Sequence, residues 1–150
     1  MPSVYYDSIT LIERLHRQFL DVLKVELERA GIFDINNVQS MILYNIGTDQ
    51  LTVGELTNRG YYLGTNVSYN VKNLVESGYL LQEKAPHDKR STRVRVSEKG
   101  LELVKKLDDL IDRNVGDLDR RSPGLAFLVD TNKAMHNLER FWTEYMNRLY

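Results

Sequence analysis

Lys84-Ala-Pro-His-Asp-Lys-Arg-Ser-Thr-Arg-Val-Arg-Val-Ser-Glu-Lys-Gly100 is the stretch whose reading decides the fold. Thr92 to Val96 alternates β-branched with basic residues, the pattern of a strand with one face buried and one face in water. The run before it, Gly78-Tyr-Leu-Leu-Gln-Glu83, passes from apolar to polar and is broken by Pro86. Two short strands around a charged turn are therefore predicted, followed at once by a helix start at Ser97. Lys89, Arg90, Arg93, Arg95 and Lys99 outnumber Asp88 and Glu98 here, although the whole chain carries a formal net charge of -1. Cations concentrated on such a hairpin suit a phosphate backbone or a narrow minor groove; an ordinary solvated hairpin would have the same composition.

Upstream, Ile9, Ile12, Leu15, Phe19, Leu23 and Leu27 recur at three- and four-residue steps, which predicts an amphipathic helix from Val4 to about Ala30, ended by Gly31. Asn36 with Gln39 has the capping-box spacing and opens a second helix that Gly47 stops; Thr52 with Glu55 repeats it and opens a short third helix, Val53 to Asn58. After a turn at Tyr61-Tyr-Leu-Gly64, the residues Val67, Val71, Leu74 and Val75 share one face of a fourth helix, which Gly78 terminates. Its opposite face holds Thr65, Asn66, Tyr69, Lys72, Asn73 and Glu76, with Ser68 and Asn70 on the flanks. Beyond the hairpin, Leu101, Val104, Leu107 and Ile111 predict a fifth helix running toward Leu118. The pair Ser122-Pro123 predicts the start of a final helix.

The chain is therefore expected to be mainly α with a small β-hairpin, an α+β winged helix-turn-helix domain (34–100) flanked by N- and C-terminal dimerisation helices (1–33 and 101–150) within a single domain. Both terminal helices carry more apolar surface than such a lobe can cover, and a second copy is the natural partner. At 150 residues and 42% hydrophobic content a real core is within reach. No apolar run is long enough for a membrane span and no signal-peptide pattern opens the chain, so a cytoplasmic protein with no membrane contact is expected. The absence of cysteine removes disulfides, thiolate metal sites and thiol redox sensing. Residues 1–50 carry four basic and seven acidic side chains, so the N-terminal third is not the phosphate-facing part.

Three segments carry a resemblance to a known family. They are Leu51-Thr-Val-Gly-Glu-Leu-Thr57, then Val67-Ser-Tyr-Asn-Val-Lys-Asn-Leu-Val-Glu-Ser-Gly-Tyr-Leu80, then Asp88-Lys-Arg-Ser91 with Val94-Arg-Val-Ser-Glu-Lys-Gly100. In their order the chain resembles, over nearly its whole length, the MarR (multiple antibiotic resistance regulator) family of bacterial transcription regulators. The resemblance implies a homodimer in which first and last helices interlock, double-stranded DNA as partner, and Arg90 entering the minor groove while Asp88 holds it. It also implies a repressor at a pseudo-palindromic operator, and a small-molecule effector. Candidate DNA-binding residues are Thr65, Asn66, Ser68, Tyr69, Asn70, Lys72, Asn73, Asp88, Lys89, Arg90 and Arg93. The reading helix departs from an arginine-rich pattern, having only Lys72, so its asparagines point to adenine edges and A/T-rich half-sites.

Catalysis is not expected. His16, His87 and His136 lie far apart in the sequence, and neither a glycine-rich phosphate loop nor a metal or cofactor motif accompanies them. The competing non-enzymatic reading is a winged-helix module that binds protein without DNA, which would have no need of the cationic hairpin. Tyr5, Tyr6, His16 and Phe19 of the first helix and Tyr44 of the second are candidates to line an effector pocket; the same residues would serve as core.

Overall fold

The long first helix is present as α1 (Pro2–Arg29) in the computed structural model, which describes residues 1–60, 64–85, 87–121 and 124–150. The side chains of Gly60, Gly64, Thr65, Ala85, Asp88, Lys89 and Arg90 are outside that description. There follow α2 (Asn37–Ile46), β1 (Leu51–Thr52), α3 (Val53–Gly60), α4 (Gly64–Glu76), β2 (Leu80–Ala85), β3 (Asp88–Val96), α5 (Glu98–Asp119) and α6 (Ala126–Leu149). Two compact units succeed one another, Met1–Asp108 and Asp109–Tyr150.

Local chemistry explains most of the boundaries. The Asn36 side chain accepts from the Gln39 N–H at 2.8 Å, and the Gln39 carbonyl oxygen accepts from the Asn36 N–H at 3.0 Å, closing the predicted capping box of α2. Thr52 and Glu55 exchange the equivalent pair at 3.1 and 3.2 Å before α3. Each box satisfies two donors that a helix start leaves loose, and losing such a cap costs about 1 kcal/mol. At the end of α4, Gly78 takes φ of 82° while Tyr79 N–H reaches back to Leu74 O at 2.9 Å and Gly78 N–H to Val75 O at 3.1 Å. This left-handed stop turns the chain directly into β2.

The sheet is antiparallel with strand order β1-β3-β2. Leu51 pairs with Val94 on one side of β3, while Leu80, Leu81, Gln82 and Glu83 pair with Val96, Arg95, Val94 and Arg93 on the other. A two-residue strand is too short to leave a periodic signal, which is why β1 does not appear in the sequence pattern. The hairpin is longer than the alternating run Thr92 to Val96. Lys84 faces Thr92 and Ala85 then faces Asp88, with a register shift between them, so Asp88 to Arg90 belong to the backbone of β3 rather than to the turn. Cross-strand pairing, not side-chain alternation, sets where this strand begins.

The core of the first unit gathers Leu27, Ile35, Ile42, Leu43, Ile46, Leu56, Val67, Val71, Leu74, Leu80, Val94 and Leu103. Fully burying one such aliphatic side chain stabilises by about 1.5–3 kcal/mol, so this lobe has its own hydrophobic basis for folding. Only the last two turns of α1 join in. Of its apolar stripe Leu23 and Leu27 are buried, whereas Ile12 and Leu15 are exposed, Leu15 by 58%.

The buried stripe of α5 is also displaced from the expected one. Leu103, Leu107 and Leu110 are buried and Leu101 is exposed. The frame is set by Gly100, where an added Cβ would fall on the Tyr79 carbonyl and 2.5 Å from Val96 Cγ1. Residues 100, 103, 107 and 110 share a helix face, so the face carrying Gly100 turns inward.

In the second unit the predicted Ser122-Pro123 start lies outside the described residues, and α6 begins at Ala126 with Leu125 as a cap that makes no side-chain bond. Gly124, at φ of 76°, excludes helical geometry until just before that point. None of the residues of α6 is buried, and Phe127, Phe141, Tyr145 and Leu149 are all exposed.

Candidate nucleic-acid interface

The outward face of α4 is a consequence of its inward one. With Val67, Val71 and Leu74 buried, the helix turns Asn66, Ser68, Tyr69 and Lys72 to the exterior, and Tyr69 is 66% exposed. Asn70 and Asn73 are half-buried at its margins. A tyrosine held this far out of a helix beside amides and a lysine presents donors, acceptors and a planar apolar face, the mixture that base edges and phosphates require. The expected position of Thr65 lies outside the described side chains. The Tyr61-Tyr-Leu turn is outside the described residues.

Asn70 differs from its neighbours. Its Oδ1 accepts from the Gln39 Nε2 at 3.2 Å, across from α2, and Gln39 itself is buried. One end of the Asn70 amide is thereby committed within the protein, and it lacks the freedom that bidentate pairing with adenine demands of both ends.

Val94 and Val96 face the core, so the outward face of the hairpin carries Arg93 and Arg95. Arg95 donates through Nε to the Glu83 carboxylate at 3.2 Å, and Glu83 also accepts from Gln50 at 3.4 Å. Arg93 is exposed. The expected roles of Asp88, Lys89 and Arg90 rest on side chains outside the described set.

Lys99 is not a phosphate-facing cation in this structure. Its Nζ donates to Asp34 Oδ2 at 3.0 Å and to Ser77 O at 2.9 Å, and sits 4.3 Å from the centre of the Tyr79 ring. The Tyr79 hydroxyl donates to the other Asp34 oxygen at 2.8 Å. Burial, then the hydrogen bond to Asp34 and its charge, push the Tyr79 phenol up to about 12. Burial also acts to raise the Asp34 carboxyl. The hydrogen bonds from Lys99 and Tyr79, its own backbone N–H and the Lys99 charge outweigh it, and the carboxyl lies below its usual 3.8. Ser97 completes the junction, accepting from the Gly100 N–H at 3.1 Å while its hydroxyl donates to Gly78 O at 2.6 Å. The motif Ser97-Glu-Lys-Gly100 thus anchors the wing to α4 and α5, and the placed charge of the hairpin is partly structural.

The candidate effector residues are dispersed toward the exterior: Tyr5, Tyr6, His16 and Tyr44 are exposed and Phe19 is half-buried. The Tyr44 hydroxyl donates to Asp108 at 2.9 Å. An open groove of 470 Å³ lies elsewhere, between the end of α1 and the start of α2, lined by Asp21, Lys24, Leu27, Phe33, Ile35 and Asn36 among others. Phe33 at its edge is 78% exposed. Among the described residues no group of three His, Asp or Glu side chains is placed to hold a metal ion, and no helix is long and apolar enough to cross a membrane.

Gln39, Glu83 and Asp34 escape sequence reasoning as parts of this region. Gln39 is legible as a capping residue, but its second bond spans 31 positions and has no local signal.

Comparison with known proteins agrees with the fold. Residues 35–100 match the winged helix DNA-binding domain family. The chain is similar to the exopolysaccharide II synthesis transcriptional activator ExpG of Rhizobium meliloti, with 38% identity over 143 residues that cover 92% of this chain and 71% of that protein. Among solved structures it is similar to Staphylococcus aureus MarR in complex with salicylate and kanamycin, at a TM-score of 0.75 and 18% identity, covering 94% of this chain and 93% of that one. Streptococcus pneumoniae FabT in complex with DNA gives a TM-score of 0.69 at 18% identity, covering 94% and 99%.

Proposed function

Because the chain belongs to the MarR family of winged-helix, DNA-binding transcriptional regulators, we propose that it acts as a homodimer on a pseudo-palindromic operator, as an effector-responsive repressor. Each α4 enters a major groove, and each wing follows the neighbouring backbone and minor groove with Arg90 and Arg93. The observation that carries this reading is the face of α4, where Asn66, Ser68, Tyr69 and Lys72 stand exposed directly behind a core-facing Val67, Val71 and Leu74. The protein is a regulator and not an enzyme, and its action on DNA belongs in the cytoplasm.

The dimer reading draws on the exposed Leu11, Ile12 and Leu15 of α1 and the exposed Phe127, Phe141, Tyr145 and Leu149 of α6. Apolar surface on two long helices is what a second copy covers, with 1–33 and 101–150 as the dimerisation segments. Sedimentation at micromolar concentration should give a dimer that unfolds as one species, and Leu15→Asp should lower its association; a folded monomer would rule the dimer out. The effector reading draws on Tyr5, Tyr6, His16, Phe19 and Tyr44 and on the S. aureus neighbour being a complex with salicylate and kanamycin. Salicylate titrated into the protein–DNA complex should weaken it if these aromatics form a pocket.

Selection from random duplexes tests recognition, half-site sequence and spacing together. Two related half-sites about one helical turn apart are expected. A protein-binding module without DNA affinity would return no enriched sequence and no decline of log K with log salt. The similarity to ExpG favours a second reading of the outcome at the promoter, activation, since that relative is a transcriptional activator. A reporter with the selected site placed upstream of, or across, the promoter separates the two.

A further inference from the structure

We propose that Gln39 is a positioning residue for base reading, which orients the Asn70 amide so that its NH₂ end, and not its oxygen, faces the DNA. The inference rests on the reading of α4 as the base-reading helix and assigns a specificity role to a buried residue of α2.

The argument starts from a group whose polarity is beyond choice. A backbone N–H is only a donor. The Asn36 N–H lies 3.0 Å from one end of the Gln39 amide, so that end is the carbonyl oxygen. The other end is therefore the NH₂, and it meets Asn70 at 3.2 Å. The atom of Asn70 that faces it must accept, which makes it Oδ1. The amide of Asn70 is then left with Nδ2 directed away from Gln39. Three residues form a one-way chain, from the helix cap of α2 through Gln39 to the margin of the reading helix. The chain is sheltered because Gln39 is buried, and Asn70 is half-buried at the boundary with the exterior face.

An Asn free to turn reads adenine with both ends of its amide, donor and acceptor together. With Oδ1 turned inward, Asn70 offers DNA a donor alone. In the major groove a lone donor suits the keto oxygens, guanine O6 or thymine O4, and is a poor match for the amino groups of adenine or cytosine; purine N7 also accepts, but it is common to adenine and guanine and does not tell them apart. One position of each half-site is therefore expected to prefer a keto base.

The polarity is reversible by design. Gln39→Glu keeps an oxygen for the Asn36 N–H, so the capping box survives. It also turns the atom facing Asn70 into an acceptor, and Asn70 must rotate its amide to donate inward and present Oδ1 outward. Asn70→Asp reaches the same outward polarity from the other partner, because Gln39 still donates inward and the outward atom is an oxygen. Two unlike changes on opposite sides of one hydrogen bond should therefore converge on the same new base.

The experiment is selection from random duplexes with the full-length parent, Gln39→Glu, Asn70→Asp, Asn70→Ala and Asn66→Ala, each checked for a cooperative thermal transition. Gln39→Glu and Asn70→Asp are expected to change one and the same position from a keto to an amino base, by about tenfold in preference, the low end of the range for a specific contact. Asn70→Ala should flatten that position, and Asn66→Ala should alter a different one. The parental base at every position for both polarity variants, or changes at two different positions, overturns the proposal. If Asn66→Ala still alters its own position in that case, α4 remains the reading helix and only the positioning role falls. If no α4 variant alters any position, the base-reading assignment falls with it. Should Gln39→Glu fail to fold, Asn70→Asp against Asn70→Ala decides: a switch to an amino base supports the proposal, and mere flattening overturns it.

Discussion

Lys99 holds its ammonium 4.3 Å from the centre of the Tyr79 ring, and this contact joins the first turn of α5 to the link between α4 and β2. The same ammonium bonds Asp34, which precedes α2, and the carbonyl of Ser77. A cation drawn from the wing sequence thus ties three segments around the base of the hairpin. Electrostatic attraction to the ring face and two charge-assisted hydrogen bonds act together there.

The clip should leave a pH signature with two limbs. Asp34 has a folded value below its ordinary 3.8, so its contribution is whole above about pH 4 and is lost as pH falls through the lower, folded value. Tyr79 has the opposite sign: its phenol is pushed up from 10.0 to about 12, so that contribution is whole below pH 10 and is lost as pH rises through about 12. Asp34→Asn should cost less than about 1 kcal/mol at neutral pH, because the ion pair is half exposed and screened. Urea unfolding from neutral to strongly acidic pH should show the gap between variant and parent closing below about pH 4.

Gly100→Ala should be far more costly than a helix propensity scale suggests. Alanine favours a helix interior over glycine by about 1 kcal/mol. Here its Cβ would meet the Tyr79 carbonyl and lie 2.5 Å from Val96 Cγ1, neither of which has a flexible end to swing aside. A net loss of about 1–3 kcal/mol is expected, measured as a lower denaturation midpoint at unchanged m-value. Stability equal to the parent would show that the wing junction is looser than described.

On α4, Asn66→Ala, Tyr69→Ala and Asn73→Ala should leave the melting temperature nearly unchanged and alter which base pairs are preferred. Their side chains lie away from Val67, Val71 and Leu74, and each base contact is worth about 1–3 kcal/mol of discrimination. Lys72→Ala should instead weaken all sequences about equally and reduce the salt slope by about one. Selection combined with affinity at several salt concentrations separates the two behaviours.

The wing offers a gain as well as losses. Arg93→Ala should lower DNA affinity with little change in stability, since its exposed cation contributes little until it meets phosphate; Arg90→Ala is expected to lower DNA affinity as well. Glu83→Gln should raise affinity by about twofold to tenfold. It removes a negative charge from the outward face and releases Arg95, now tied at 3.2 Å, adding up to about one to the salt slope. An affinity equal to the parent at low salt would place Arg95 away from the DNA backbone.

Short-range features were legible from the residues alone. The capping boxes at Asn36 with Gln39 and Thr52 with Glu55, the left-handed stop at Gly78 and the buried stripe of α4 each follow from groups within a few positions of one another. Hydrogen-bond geometry and helical periodicity act over that range, so the order of the helices and the outward face of α4 follow from the residues alone. Tertiary structure decided what depends on distant partners. Asp88 to Arg90 became strand because Ala85 pairs with Asp88, and the inward face of α5 was chosen by the fit of Gly100 against Tyr79. Lys99, one of the cations counted in the hairpin stretch, bonds Asp34, 65 positions away, and the Asn70 amide is oriented by Gln39, 31 positions away. A side chain's type states which bonds it can make. Which of them it makes is decided by the groups the fold brings within about 3 Å, and those are not its neighbours in sequence.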